Sequence, residues 1–255
     1  GLGDVYKRQD KEWESMCIPF DEDAKICLNG VIDRVDLCSL PGEELIKIID
    51  YKSSDSQDLS LAKVYYGLQM QLLTYLEAAK EMVEKEHKGK EAVPAAMLYY
   101  AIKEKNLDWK PESEEEYEKR VLDSMKCKGY VNEEPEIIGH LDKSIVNGGE
   151  LIPGQKSVVV PVAVDKKGLL KKNSETLSTK DFETLIAHTK EKMKECGKAI
   201  LDGKIEAIPY VYEDNDGCTY CPYGSVCGHE SKKDGVREMK KMSDDEVWEA
   251  LYGDD

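Results

Sequence analysis

The sequence predicts an α/β protein with a mixed central sheet flanked by helices, and three stretches carry that prediction. Leu45 to Lys52 reads LIKIIDYK and Ala95 to Ile102 reads AAMLYYAI. Both are short apolar runs rich in β-branched or aromatic residues, the pattern of strands buried on both faces. Between them, Leu59 to about Glu86 carries apolar residues at helical spacing and ends in a charged run before Gly89, which predicts one long helix packed on the sheet. Strand, helix and strand in that order give the α/β pattern.

The other elements follow in chain order. The first nine residues, GLGDVYKRQ, have no periodicity and read as a translated adaptor stretch outside the fold, so the native polypeptide is expected to extend further upstream. Ser15 to Leu40 alternates apolar and polar positions around Asn29-Gly30, predicting a strand, a break and a second strand. Pro41-Gly42 turns the chain into the Leu45–Lys52 strand. Ser113 with Glu116 forms a capping box, opening a helix to about Lys128 that Gly129 stops. Val158 to Val164 reads as an edge strand because of Pro161, and Lys167-Gly168 as a turn. Asp181 to Asp202 is an amphipathic helix with Phe182, Leu185, Ile186, Met193 and Ile200 inward and Gly203 at its end. The main domain thus covers 10–212, followed by a cysteine-bearing loop over 213–230 and an acidic tail over 231–255.

Composition narrows the function. A chain of 255 residues with 40% hydrophobic content sustains a sizeable core. Its net charge of −16, from 52 acidic and 36 basic residues, repels phosphate backbones over most of the surface and excludes a generic basic DNA-coating protein. No run approaches the ~18 apolar residues of a membrane span, and no signal segment opens the chain, so a cytoplasmic location without a membrane partner is expected. There the eight cysteines would be mostly reduced. Cys17, Cys27, Cys38, Cys127 and Cys196 are scattered singly, whereas Cys218, Cys221 and Cys227 cluster.

Chemistry concentrates at the end of the first buried strand. Residues two apart in a strand share a face, so Asp50 and Lys52 project together while Tyr51 points away. If the preceding strand pairs through the Pro41-Gly42 turn, Asp33 approaches Asp50. Two hard oxygen ligands beside a lysine describe a Mg²⁺ site able to polarise a phosphodiester and acidify water. Taken singly, the same residues also read as strand-end ion pairs. Gln71 and Tyr75 lie one turn apart on the following helix; alone they read as the edge of a core. Asp36 faces away from Asp33 by alternation and reads as secondary, pairing with Arg34 or a neighbour. The trio Cys218, Cys221 and Cys227 is a C-x2-C-x5-C arrangement of soft ligands for zinc, with His229 as a fourth group, or for an iron–sulfur cluster.

Together, GVIDRVD, then IIDYKSS, then QLLTY resemble the RecB-type branch of the PD-(D/E)XK nuclease superfamily. The resemblance implies a restriction-endonuclease-like core in which Asp33 and Asp50 are metal ligands and Lys52 assists the water or the transition-state charge. Gln71 and Tyr75 would border the active site and the DNA strand. The family's earlier acidic or histidine contribution has only Glu14 as a nearby acid and no histidine counterpart. The surround YCPYGSVC is similar to members in which three C-terminal cysteines and one far upstream hold a 4Fe-4S cluster. Cys17 lies too near the first strand to be that fourth ligand, which is expected upstream of this chain.

The long stretch from Tyr75 to Cys218, with MLYYAIKE, CKGYV, VVVPVAV and GKIEAIPYVY, resembles the C-terminal nuclease domains of the AddB family (RexB type) over roughly Asp10 to Glu230. That implies a heterodimer with an AddA-type helicase–nuclease subunit. The assembly would bind double-stranded DNA ends, unwind them with ATP and trim the strand ending 5′ for recombinational repair. No G-x-x-x-x-G-K-[ST] loop occurs, so the ATP-driven motor belongs elsewhere. Lys63 and Lys103 would touch phosphates or be solvated. Two alternatives stay open: a non-catalytic DNA-end-binding or scaffolding iron–sulfur module, and a CRISPR-adaptation type exonuclease, in which few residues separate the Q-x-x-x-Y helix from the cysteines.

Overall fold

A computed structural model describes residues 16–53, 58–102, 110–229 and 235–253. β1 (Met16–Pro19) and β2 (Lys25–Leu28) form an antiparallel hairpin. The stretch before Asn29-Gly30 is therefore two strands rather than one, because the acidic Asp21-Glu22-Asp23 run turns the chain first, closed by the Phe20 N–H on the Ala24 carbonyl. Cys17 and Cys27 occupy one register position and are disulfide-bonded. That corrects the reading of both as isolated thiols: directly opposed residues on two strands bring their β-carbons within bridging reach.

β3 (Arg34–Leu40) and β4 (Glu43–Lys52) pair antiparallel through the expected turn. Alternation in β4 sends Ile46 and Ile48 into the main core and Leu45 and Ile49 to the opposite face, all buried. The single long helix expected next is broken into α1 (Leu61–Tyr65) and α2 (Gln71–Glu86). Gly67 adopts φ +76 between them, a left-handed conformation that ends a helix. The Lys63 carbonyl accepts both the Leu68 and Gln69 N–H groups there. The break places Gln71 in the first turn of α2.

β5 (Glu91–Ala101) runs parallel to β4. It begins before the expected Ala95: Pro94, which has no N–H to donate, is still in register with Ile46, and the register shift that follows skips Ala95 so that Lys47 pairs with Ala96. α3 (Glu114–Ser124) opens on the expected capping box. It ends short of Gly129, which instead lies inside β6 (Lys128–Asn132), antiparallel to β5. Gly129 has φ +124, and a β-carbon there would sit 2.3 Å from the Met97 carbonyl oxygen. Close backbone approach, not helix termination, is what that glycine provides.

α4 (Pro135–Leu141) and the hairpin of β7 (Val146–Asn147) with β8 (Glu150–Leu151) follow. The strand expected over Val158–Val164 does not form. Ser157 Oγ accepts the N–H groups of Val159 and Val160, and the Val162 N–H bonds the Val160 carbonyl across Pro161. The local turn leaves only single bridges, Lys156 with Ala163 and Val164 with Leu170. Val160 and Val162 are nonetheless buried in a core with Ile49 and Leu98.

β9 (Thr176–Leu177) pairs parallel with β6, completing a five-stranded mixed sheet in the order β3-β4-β5-β6-β9. α5 (Thr179–Leu201) starts at a second capping box, Ser178 with Asp181. Phe182, Leu185, Ile186 and Met193 are buried as expected, but Ile200 is 76% exposed. The helix runs past Gly197, where Ile26 of β2 packs against it, and its last turn projects. β10 (Tyr210–Tyr212) lies between β11 (Asn215–Asp216) and, after α6 (Gly224–Cys227), β12 (Arg237–Met239). α7 (Asp244–Tyr252) buries Val247 completely in the main core. The segment read as an acidic tail is, where described, built into the fold.

The fold is thus the expected mixed sheet with helices on both faces: α1, α2, α5 and α7 share the main core, and α4 packs on the other side. No helix among the described residues is long and apolar enough to cross a membrane.

Candidate active site

β4 carries its chemistry at its C-terminal end. Asp50 and Lys52 rise on the same face as Ile46 and Ile48, under α2, whereas the Tyr51 ring turns to the other face and meets Tyr100 edge-on, centroids 6.0 Å apart. Asp33 immediately precedes β3. Since Arg34 pairs with Ile49, the next step of the antiparallel register sets Asp33 opposite Asp50. Asp33 Oδ2 accepts the Tyr51 N–H at 2.9 Å, which ties that carboxylate to the strand end.

Asp50 is 3% exposed. Its Oδ2 lies 2.5 Å from Lys52 Nζ yet receives no directed hydrogen bond. The ammonium compensates the burial of that carboxylate by charge rather than by a directed hydrogen bond. Lys52 Nζ donates to Gln71 Oε1 at 2.9 Å, and Gln71 Nε2 donates to the Tyr75 hydroxyl at 2.8 Å. Asp50, Lys52, Gln71 and Tyr75 form one continuous polar chain from the strand to the first turn of α2, with Asp33 entering from the neighbouring strand.

Tyr99 was not legible in the sequence as a member of this group. In the parallel β4–β5 pairing it is the register partner of Asp50, it is 5% exposed, and its ring centroid lies 5.2 Å from Lys52 Nζ. Burial, aided by Asp50 and Tyr75, pushes its pKa up to about 12, so the phenol stays neutral. AAMLYYAI signals a buried strand, but which tyrosine stands beside Asp50 depends on a long-range register. Lys128 is the next residue across, paired with Tyr99 and 2.6 Å from Asp58 Oδ1.

Asp36 lies on the other face, bound by Arg34 Nε at 2.8 Å and Nη2 at 3.0 Å and by Lys47 Nζ at 2.8 Å. Burial would raise its pKa, but the hydrogen bonds from Arg34 and Lys47 outweigh that and hold the carboxyl below its usual range. It is a structural ion pair. Lys63 sits in α1, where its charge reaches Glu213. Glu14 and Lys103 lie outside the described residues.

Cys218, Cys221 and Cys227 are exposed free thiols. Asp216 Oδ1 accepts the Cys218 and Thr219 N–H groups at 2.9 and 2.6 Å, and the Cys221 N–H bonds the Cys218 carbonyl at 3.0 Å. These bonds fold the loop into tight turns. The Cys218 thiol is pushed up by desolvation, then by Asp216 and the other two thiols, so the three groups sense one another. Among the described residues no three His, Cys, Asp or Glu side chains are gathered closely enough to hold a metal ion by themselves.

The donor chemistry fits two different groups to different extents. Two carboxylates on adjacent strands, Asp33 and Asp50, suit a hard divalent cation that would take its remaining ligands from water and phosphate. Three thiols are three of the four ligands that a cubane cluster would need, though the described residues do not hold them gathered around a common point. The other free cysteines stand elsewhere: Cys38 Sγ is 3.7 Å from His140 Nδ1, Cys127 is buried, and Cys196 is exposed on α5.

An Asp-x-Lys strand end with a second aspartate beside it on the adjacent strand and a Gln-Tyr helix turn over it agrees with the family the sequence matches: the chain belongs to the PD-(D/E)XK nuclease superfamily, whose model matches residues 3–228. The matched stretch starts inside the nine residues read as an adaptor and ends beside the third clustered cysteine. More narrowly, the chain is similar to the B-type subunit of the ATP-dependent helicase/deoxyribonuclease of Lachnoclostridium phytofermentans, 35% identical over 236 residues, covering 91% of this chain and 20% of that protein. The protein of the same name from Thermoanaerobacter sp. is 35% identical over 230 residues, 89% of this chain and 19% of the relative. That from Clostridioides difficile is 32% identical over 233 residues, 90% and 20% respectively. The chain therefore spans about a fifth of the length of these relatives.

Proposed function

We propose that the chain is the nuclease domain of an ATP-dependent helicase–deoxyribonuclease subunit, acting as a Mg²⁺-dependent exodeoxyribonuclease on the strand that ends 5′ and serving recombinational repair of DNA ends in the cytoplasm. The observation that carries the reading is the buried Asp50 carboxylate, ion-paired with Lys52 at 2.5 Å at the strand end where the register brings Asp33 alongside. The names of the relatives support a helicase partnership, with an AddA-type subunit as the partner and the ATP-driven motor outside this segment.

Asp33 and Asp50 would hold the Mg²⁺. Bound there, the ion polarises a phosphodiester and lowers the pKa of an attacking water. Lys52 brings a positive charge to a site otherwise built of carboxylates and is placed to meet a non-bridging phosphate oxygen or to orient the water. Gln71 fixes that charge: its Nε2 is committed to Tyr75, so its Oε1 faces Lys52. Tyr75 accepts from Gln71 Nε2 and so holds the amide whose Oε1 faces Lys52. Cys218, Cys221 and Cys227 would supply three thiolates to a 4Fe-4S cluster, with the fourth ligand outside the described residues.

The test is cleavage of end-labelled duplex DNA by the protein purified with its partner. Wild type should cut only with Mg²⁺, with EDTA abolishing cleavage reversibly, and Asp50→Asn and Lys52→Ala should lose about 10²-fold or more in rate while folding normally. Undiminished cutting by both variants would remove the site. For the cluster, anaerobic purification should give brown protein with iron and sulfide; stoichiometric zinc in its place would overturn that assignment.

A further inference from the structure

Lys52 has three neighbours of different kinds. Asp50 Oδ2 is 2.5 Å from its Nζ, Gln71 Oε1 accepts from it at 2.9 Å, and Tyr99 presents its ring with the centroid 5.2 Å away. The first two contacts are oxygen lone pairs, which a bound cation or an incoming donor would compete for. A ring face attracts an ammonium through its quadrupole and has no lone pair to surrender. Backbone pairing sets the ring there: β5 is parallel to β4, and Tyr99 is in register with Asp50, so both side chains rise from one face of the sheet. Met97, two residues before Tyr99 on that face, is fully buried, so the ring's own strand is anchored in the main core.

We propose that Tyr99 is a positioning residue of the nuclease site: its ring face holds the Lys52 ammonium over the strand end when the oxygens of Asp50 are engaged elsewhere. The lysine then meets the scissile phosphate instead of swinging out on its four-carbon stem. The ring face is the part of the side chain that makes this contact. This inference rests on the nuclease reading above and adds to it the group that keeps the essential charge in place.

The experiment replaces Tyr99 in the purified helicase–nuclease with phenylalanine, 3,5-difluorophenylalanine and 3,4,5-trifluorophenylalanine. The series keeps the ring's shape while progressively draining negative potential from its face. With Tyr99→Phe as the reference of the series, kcat should fall stepwise to about tenfold lower at three fluorines, with KM for DNA changing less than about twofold. A kcat that is flat across the series overturns the inference, since a merely space-filling ring would give that result. A second readout needs no turnover: the ε-methylene resonances of ¹³C-labelled Lys52, assigned with Lys52→Arg, should be shifted upfield by the ring in wild type and Tyr99→Phe and should lose that shift in Tyr99→Leu. Resonances at the ordinary lysine position in wild type overturn it as well. Asp50→Asn is run in parallel. Loss of cutting there with a flat fluorine series sinks the Tyr99 role alone, whereas full cutting by Asp50→Asn sinks the nuclease reading beneath it.

Discussion

The carboxylate of Asp33 is pinned to the backbone of Tyr51, accepting its N–H at 2.9 Å from the neighbouring strand. In the proposed site one side chain would therefore have two tasks, closing the open end of the β3–β4 pair and offering charge to a metal, and two substitutions separate them. Asp33→Asn keeps an acceptor for the Tyr51 N–H but removes the negative charge. It should unfold at the wild-type temperature and cut DNA at least about 10²-fold more slowly. Asp33→Ala should lose activity to the same degree and in addition about 1 kcal/mol of stability, read by urea denaturation. Equal stability losses in both variants would show that charge, not the hydrogen bond, secures the strand end.

Much of this site was legible because its spacing is local. Asp50 and Lys52 share a face by strand alternation alone, and Gln71 and Tyr75 share one by helical periodicity. What stayed hidden was decided across the chain. Tyr99 joins the site through a parallel register that nothing in AAMLYYAI announces. The disulfide between Cys17 and Cys27 required knowing that a hairpin closes before Asn29-Gly30. The elements that failed, the unbroken Leu59–Glu86 helix and the Val158–Val164 strand, failed where a local hydrogen-bonding option overrode an apolar pattern: the Gly67 turn in one case and the Ser157 hydroxyl in the other.

The second carboxylate of the GVIDRVD segment gives a pH dependence. Asp36, bound by Arg34 and Lys47, has a pKa below its unfolded value. A lowered carboxyl pKa contributes stability that is present above the unfolded pKa of about 3.9 and is lost as pH falls through the folded pKa. Glu44, bound by Ser39, Lys90 and His87 against the opposing effect of burial, is shifted the same way. Thermal melts should therefore fall on the acid side. Asp36→Asn should flatten that limb and, because its partners are partly exposed, lower stability near neutral pH by only about 1 kcal/mol. DNA cleavage should be unchanged; a loss of activity in that variant would move Asp36 into the site.

Gly129 tests the β5–β6 contact. Any side chain there must relieve both the +124 φ and a 2.3 Å approach to the Met97 carbonyl oxygen. The second demand falls on rigid backbone in the middle of the sheet. Gly129→Ala should destabilise the protein by at least about 2 kcal/mol, visible as a lower urea midpoint with unchanged slope. The damage should reach the site, since Lys128 next to it is paired with Tyr99. A variant as stable as wild type would mean that β6 is free to shift away from β5.

The Gln71–Tyr75 bond is the last link in the chain that orients Lys52, and it is the one most easily cut without disturbing the fold. Tyr75→Phe removes only the oxygen that accepts from Gln71 Nε2. With that partner gone the Gln71 amide is free to rotate, and the Oε1 that now faces Lys52 is no longer fixed. The expected result is a kcat about 5–10-fold lower, the equivalent of one lost hydrogen bond in the transition state. Gln71→Ala should cost at least as much, because it removes the Lys52 contact directly. If the tyrosine acts only through the glutamine, the double variant should be no slower than Gln71→Ala, since two residues in one network do not add. Strictly additive losses in that cycle would instead assign Tyr75 a contact of its own, with the phosphate of the strand being cut.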